Sequence, residues 1–198
     1  MLANILSVCA SITAVVCYIS YVRQILKGFS IPNPATVFIW FSVGILNALT
    51  YNTIVSENIW KSLIFFTTSG LLCILFFYSL FRGKFAKFER TELLAVSMAF
   101  GIGIFWKTTG NAVVSNLLLQ VIYIISFVPV LIGLHNGKLK EKSFAWVVAV
   151  VAYVFATAAI LLEFDGNWLS LVPPVVTGIM GNGSVALFIV LKRKKVSV

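Results

Sequence analysis

The chain alternates long apolar runs with short polar joints. The runs cover Ala3–Val22, Ala35–Val55, Ile59–Phe81, Leu93–Trp106, Ala112–Leu134, Phe144–Leu162 and Trp168–Leu191. About 20 apolar residues in a helix cross the hydrocarbon of a bilayer. Six runs reach or approach that length. The fourth has only about 14 residues before Lys107, so a buried or re-entrant helix stands as the alternative to a crossing. The residues before Pro32 and Pro34 are pushed out of the helical region, which predicts that the first helix ends near Gly28. Glu57 and Asn58 make the next joint. The first run has no basic leader and no small-residue cleavage site, so it reads as a span and not as a removable signal. The pattern predicts an all-α membrane protein with seven transmembrane helices.

The charges test that count. With seven spans and the N-terminus outside, the inner side receives Arg23, Lys27, Arg82, Lys84, Lys87, Arg90, Lys138, Lys140, Lys142, Lys192, Arg193, Lys194 and Lys195, while the outer side receives Lys61 and Lys107. Thirteen of 15 basic residues then face the cytoplasm in short loops, where the positive-inside rule applies. If the fourth run did not cross, the clusters Lys138–Lys142 and Lys192–Lys195 would face outward.

Part of the chain occurs twice. Ser20, Tyr21, Val22, Phe38 and Trp40 fall on Ser126, Phe127, Val128, Phe144 and Trp146 at a shift of 106 residues. Trp60, Ser62, Leu63 and Gly70 fall on Trp168, Ser170, Leu171 and Gly178 at a shift of 108. Common order and near-constant shift read as an internal duplication. The expected organisation is 3+1+3: a first triple-helix bundle in 1–82, a linker helix with a basic loop in 83–110, and a second triple-helix bundle in 111–198. An odd linker makes the two bundles parallel.

Composition agrees. The chain is 60% hydrophobic and 11% charged, against about 25% charged in a soluble domain. A net charge of +9 would point to nucleic acid in a soluble protein, but here the basic residues sort by side of the membrane. Cys9, Cys17 and Cys73 lie in apolar runs at no metal-binding spacing and read as small buried hydrophobes.

Two further stretches carry a resemblance. The first repeat ends its opening helix with Tyr21-Val22-Arg23-Gln24, and the second with Phe127-Val128-Pro129-Val130. Two parallel triple-helix bundles with such motifs resemble the SWEET sugar transporters and the wider PQ-loop superfamily, over nearly the whole chain. That family's pattern is Y/F-x-P-Q; the first copy keeps only the Gln and the second only the Pro. The resemblance implies alternating access about a central site. It places the hinge or gate at Gln24, Arg23 and Pro129; apart from the resemblance, Trp40 and Trp146 at the inner ends of the second and sixth helices read as closing an inner gate. A simpler reading puts those two tryptophans, with Trp60, Trp106 and Trp168, in an aromatic belt at the headgroups. Nicotinamide riboside transporters resemble the same plan without PQ motifs, so a vitamin-like solute stays open.

Candidate chemistry is sparse. Glu57, Glu89, Glu92, Glu141, Glu163 and Asp165 all fall at loops or span ends, and His135 ends the fifth run. No carboxylate dyad, Ser/His/Asp set or phosphate loop is present, so neither an enzyme nor a bound metal or cofactor is expected. With no acid in mid-span, the solute should move down its own gradient, at a rate insensitive to pH. Neutral polar side chains remain as substrate-binding candidates: Asn47, Thr67, Thr68, Asn116, Gln120, Tyr153, Thr177 and Asn182. Buried amides and hydroxyls need partners, and other helices are the commonest ones. Asn182 stands out because Gly178, Gly181 and Gly183 around it leave room for a ligand or another backbone. It resembles the sugar-contacting Asn of the SWEET family's seventh helix; in the alternative register the family's Asn-x-x-Gly pattern falls on Thr67–Gly70 and Val175–Gly178, and the binding amide is absent. Pro173 and Pro174 should loosen the outer end of that helix.

The sequence thus reads as a cell-membrane transporter of a small neutral polar solute, a sugar first, acting as a uniporter. Its partners are the solute and the lipid bilayer, with no nucleic acid, and a homo-oligomer is left open. A vitamin or amino-acid carrier is the alternative within transport; a membrane cargo receptor is the alternative of another class. A topology reporter fused after Val198 is expected to be active only in the cytoplasm, and activity outside the cell would overturn the seven-span reading.

Overall fold

The computed structural model describes residues 1–30, 34–56, 58–81 and 90–196. All regular structure among them is helical: α1 (Leu2–Leu26), α2 (Pro34–Ile54), α3 (Ile59–Phe81), α4 (Arg90–Thr109), α5 (Ala112–His135) and α6 (Ser143–Leu162), then a 3-10 turn (Trp168–Leu171), a π-helical segment (Pro174–Gly181) and α7 (Asn182–Val196). Pro32, Glu57, the basic stretch Arg82–Lys87 and Glu89 lie outside the described residues. Six stretches are long and apolar enough to cross a membrane: α1, α2, α3, α5, α6 and Trp168–Lys192. The chain is a multi-pass membrane protein by that measure. α4 is not among the six, yet it outruns the apolar stretch that predicted it and reaches 20 residues, about 30 Å at the rise of an α-helix.

Lipid tails are as apolar as leucine, so helices in a membrane associate through close packing and hydrogen bonds. α1 buries a face of Ala3, Ser7, Ala10, Ser11, Ala14 and Cys17, and α6 buries Ala145, Ala152, Ala156 and Ala159. Spacings of three and four put each set on one side of its helix. Small side chains let the two backbones approach, and α1 against α6 is the most extensive helix pair. α3 packs on α1 and α2, the π segment and α7 on α5 and α6, α2 on α5, and α4 on α2 and α5. Outward faces carry lipid-type side chains such as Ile12, Ile74, Leu118, Ile125 and Met180.

The two ends of the bundle differ in chemistry. At the basic end, the Tyr21 hydroxyl donates to Glu141 Oε1 at 2.8 Å, and Lys192 Nζ donates to the Leu134 and His135 carbonyls. At the opposite end, the Tyr51 hydroxyl donates to the Ser170 carbonyl at 2.8 Å and Asn167 Nδ2 to the Ile54 carbonyl at 3.2 Å. There Lys61 also pairs with Asp165 at 3.4 Å. The Asn167 backbone N–H, and then Lys61, hold the Asp165 carboxyl below the usual carboxylate range.

The seventh run departs from expectation. One helix was predicted over Trp168–Leu191, but it forms as three pieces. Asn167 caps the 3-10 turn by accepting from the Leu169 N–H at 3.2 Å. Pro173 and Pro174, both fully buried, lack N–H groups and fit best where a helix begins. A wide π turn follows, a form often found at functional sites. The room left by its glycines is taken by rings: a Cβ on Gly178 would fall inside Tyr153, and one on Gly181 inside Phe127. By contrast, a Cβ on Gly183 would meet only Val150 Cγ2 at 3.8 Å. Pro129 does not end α5, which runs on to His135. Gly178→Ala is expected to cost about 1–3 kcal/mol by overpacking, read as a lower melting temperature in detergent. Gly183→Ala should be neutral or slightly stabilising, since it gains helix propensity without a clash.

Candidate functional site

A cavity of about 100 Å³ lies among the helices. Side chains from α1, α2, α3, α5, α6 and the π segment with the start of α7 line it; α4 contributes none among the described residues. Eight lining residues are aromatic: Tyr18, Tyr21, Trp40, Phe65, Tyr123, Phe127, Trp146 and Tyr153. Asn47, Thr68, Ser69, Thr177 and Asn182 supply the strongest polar groups, and none of the described lining residues is charged.

Of the residues singled out from sequence, the fold therefore brings Asn47, Thr68, Tyr153, Thr177, Asn182, Trp40 and Trp146 together. Thr67 does not line the cavity; its hydroxyl donates to the Leu63 carbonyl of its own helix at 2.9 Å. Asn116 and Gln120 are buried behind the wall, where they knot α2, α5 and the π segment together. Asn116 Nδ2 donates to Asn47 Oδ1 and to Thr50 Oγ1, each at 2.9 Å. Gln120 Nε2 donates to the same Asn47 oxygen at 2.7 Å, and the Thr177 hydroxyl donates to Gln120 Oε1. Asn182 Nδ2 donates to the Gly178 carbonyl at 2.8 Å and to that of Thr177 at 3.3 Å, taking up acceptors at the end of the wide turn. This leaves Asn47 Nδ2 and Asn182 Oδ1 without a partner among the described residues, one donor and one acceptor on the wall of the same cavity.

Toward the basic end the cavity meets a chain of four rings. Centroid distances are 6.2 Å for Tyr21 to Trp146, 5.9 Å for Trp146 to Trp40 and 5.3 Å for Trp40 to Phe127. The first two contacts are edge-to-face, the geometry that ring quadrupoles favour. Trp40 Nε1 donates to Ser126 Oγ at 2.7 Å. Trp146 is buried and Trp40 partly so; packed on each other, they do not form a headgroup belt. Trp60 and Trp168, both exposed, suit that role. The gate candidates on α1 lie outside the cavity. Arg23 is exposed. Gln24 is buried at the end of α1, where its Oε1 accepts from Ser30 Oγ at 3.1 Å and its carbonyl from the Phe29 N–H at 2.8 Å.

Glu141 is the residue that sequence reasoning passed over. It sits between two lysines just before α6, which marks it as an ordinary loop carboxylate. In the fold it is partly buried under the rings, with Tyr21 donating to Oε1 and Trp146 Nε1 donating to Oε2 at 3.4 Å. Desolvation pushes its carboxyl up to about 7, against the downward pull of hydrogen bonds from Tyr21, Ser30 and Trp146. The only signal in the chain is its place five residues before Trp146.

No protein-family model, no curated protein and no solved structure matches the chain.

Gln120→Leu is expected to lower the melting temperature, because it strands the Thr177 hydroxyl and one acceptor site of Asn47 at a cost of about 1–3 kcal/mol. Thr67→Val, which loses only a bond within its own helix, should stay within about 0.5 kcal/mol of the parent. Equal melting temperatures for the two variants would remove the amide knot from this account.

Proposed function

We propose that the chain is a seven-span transporter of the SWEET-like class that moves a small neutral polar solute, a sugar first, by alternating access. Two parallel triple-helix bundles, 1–82 and 111–198, rock about the central cavity, and the helix within 83–110 links them. The observation that carries this reading is the make-up of the cavity wall. Tyr21 and Phe127, Trp40 and Trp146, and Asn47 and Tyr153 are related by the 106-residue shift, Ser69 and Thr177 by the 108-residue shift, and all eight line the cavity. A site built from equivalent positions of two repeats is what rocking bundles require.

The helix contacts lend further support. Exchanging the repeats turns the α1–α6 contact into the α5–α2 contact, and both are present. α3 starts near the Lys61–Asp165 pair and so runs toward the basic end. α5 finishes at the basic end, so it begins at the other. The chain between them must therefore travel the length of the bundle, which α4 is long enough to do. This reading takes the basic end as cytoplasmic, with the N-terminus outside and the C-terminus inside, in line with the charge pattern. An uncharged wall with a free amide donor and a free amide acceptor suits a hydroxylated, neutral solute. The eight rings favour, as a second reading, a flat vitamin-like solute. A cargo receptor for a peptide terminus would call for charged wall residues, and nothing described supplies them.

Uptake into proteoliposomes against a panel of sugars, amino acids and nucleosides tests the reading; no uptake of any would sink it. Asn182→Leu is expected to weaken solute binding by about tenfold or more, the loss of one hydrogen bond to a buried polar group, and Thr68→Val by less. Because Asn182→Leu also loses the bond to Gly178, its melting temperature should fall. The diagnostic reading is thus the rise in melting temperature on adding solute, which should vanish in the variant and persist in Gly183→Ala.

A further inference from the structure

We propose that Glu141 is a proton-operated latch on the basic end of the cavity: protonated, it holds the ring layer closed, and ionised, it drives that end open. This rests on the transport reading only in taking the ring layer as a gate. The geometry is specific. Through its two oxygens Glu141 joins Tyr21 on α1 to Trp146 on α6, the two helices that pack most extensively. The void beside it is about 10 Å³, bounded by the same Tyr21, Trp40 and Trp146 that bound the main cavity. That is room for one water at most, too little to hydrate a carboxylate.

Nor does a cation compensate among the described residues. From α1, Tyr21 faces Glu141, while Arg23 and Lys27 are exposed. α2 offers Thr36 and Trp40, α5 offers Val130, and α6 offers Trp146, none of them ionisable near neutrality. In its own loop Lys138 and Lys140 are exposed, and Lys142 Nζ lies over the Phe29 ring at 3.4 Å. His135 is exposed beside Phe188, and Lys192 is held by the Leu134 and His135 carbonyls. A carboxylate in this setting gains from separation of α1 and α6, because separation admits water.

The sign follows from linkage. In the closed form the carboxyl sits near 7; once hydrated it returns toward the ordinary value of about 4.3. The form with the higher value binds the proton more tightly, so acid favours the closed form. As pH rises between those values, the open-to-closed ratio rises by up to about tenfold per unit, and it levels off above about 7. The solute still moves down its own gradient; the proton sets how often the inner end opens. This departs from the pH-independent rate expected from the sequence.

Cys17, which is buried and lines the cavity, reports opening without any knowledge of the solute. In inverted membrane vesicles of a Cys9→Ala, Cys73→Ala protein, the labelling rate of Cys17 by the anionic reagent sulfonatoethyl methanethiosulfonate would be measured from pH 5.5 to 8. Dividing by the rate in Glu141→Gln removes the pH dependence of the thiol itself. An anionic reagent is repelled by an ionised Glu141, so local charge works against the expected result. The ratio should climb at least about fivefold and flatten above about pH 7.5. Tyr21→Phe, which removes a donor to the carboxylate, should move the midpoint to higher pH, and this comparison stands even if Glu141→Gln does not fold. A flat ratio, a midpoint unmoved by Tyr21→Phe, or no labelling at any pH would each overturn the latch. Solute uptake measured on the same preparations separates the two ideas: uptake with a flat ratio removes only the latch, and a rising ratio without uptake removes only the transporter.

Discussion

Nothing in hydrocarbon squeezes helices together, and the fold answers that constraint in two different ways. Along α1 and α6 it uses small residues, Ala10 and Ala14 against Ala152 and Ala156, so that backbones meet closely. Along α2 and α5 it uses amides, with Asn47 Oδ1 accepting from both Asn116 and Gln120. In the proposed two-bundle arrangement these are equivalent seams. One is close and built of small side chains, the other polar and knotted. The cavity lies between them, so its wall is free of the demands of packing at only a few polar atoms. The unpartnered amide groups of Asn47 and Asn182 belong to the cavity wall, while the unpartnered Ser11 hydroxyl lies on the buried face of α1.

This division explains why a wall with so little charge offers specific chemistry. A buried amide held by neighbours at one end has its other end fixed in direction. Asn182 is held through its nitrogen by the π turn, and Asn47 through its oxygen by α5. In the proposed transporter a solute would meet a donor and an acceptor already oriented, with eight aromatic rings on the same wall. Hydroxyl groups that both donate and accept match such a pair.

How far the sequence led depends on which force decided each feature. Spans set by hydrophobic length were legible: Ile59–Phe81 was read with the bounds it has, and α5 and α6 to within one residue. α4 was read short because Arg90, Glu92 and Lys107 end its apolar stretch but not its helix. The π segment was not legible, because two prolines signal an interruption without saying that it is a widening. The polar candidates were found as a set, but periodicity does not say which wall an amide faces. Asn116 and Gln120 turned inward to other helices, and Thr67 to its own. Glu141 was missed because its burial is made by rings from α1 and α6, 120 and five residues away in the chain.

The π segment also separates distance along the chain from rotation about the helix axis. Its wide turns hold more residues than α turns do, so residue counts run ahead of the angle turned. At a fixed offset of 108, Asn182 is paired with Ile74, a side chain 67% exposed toward the lipid face. In the proposed duplication the extra residues of the wide turns undo that pairing: Asn182 lines the cavity, as do Thr177 and Ser69, which the same offset pairs. The two halves of that proposed duplication would stay in phase up to the wide turn and lose phase beyond it. In the proposed duplication, it is this slip that brings Asn182 to the second bundle's side of the wall, where Asn47 is the amide on the first bundle's side.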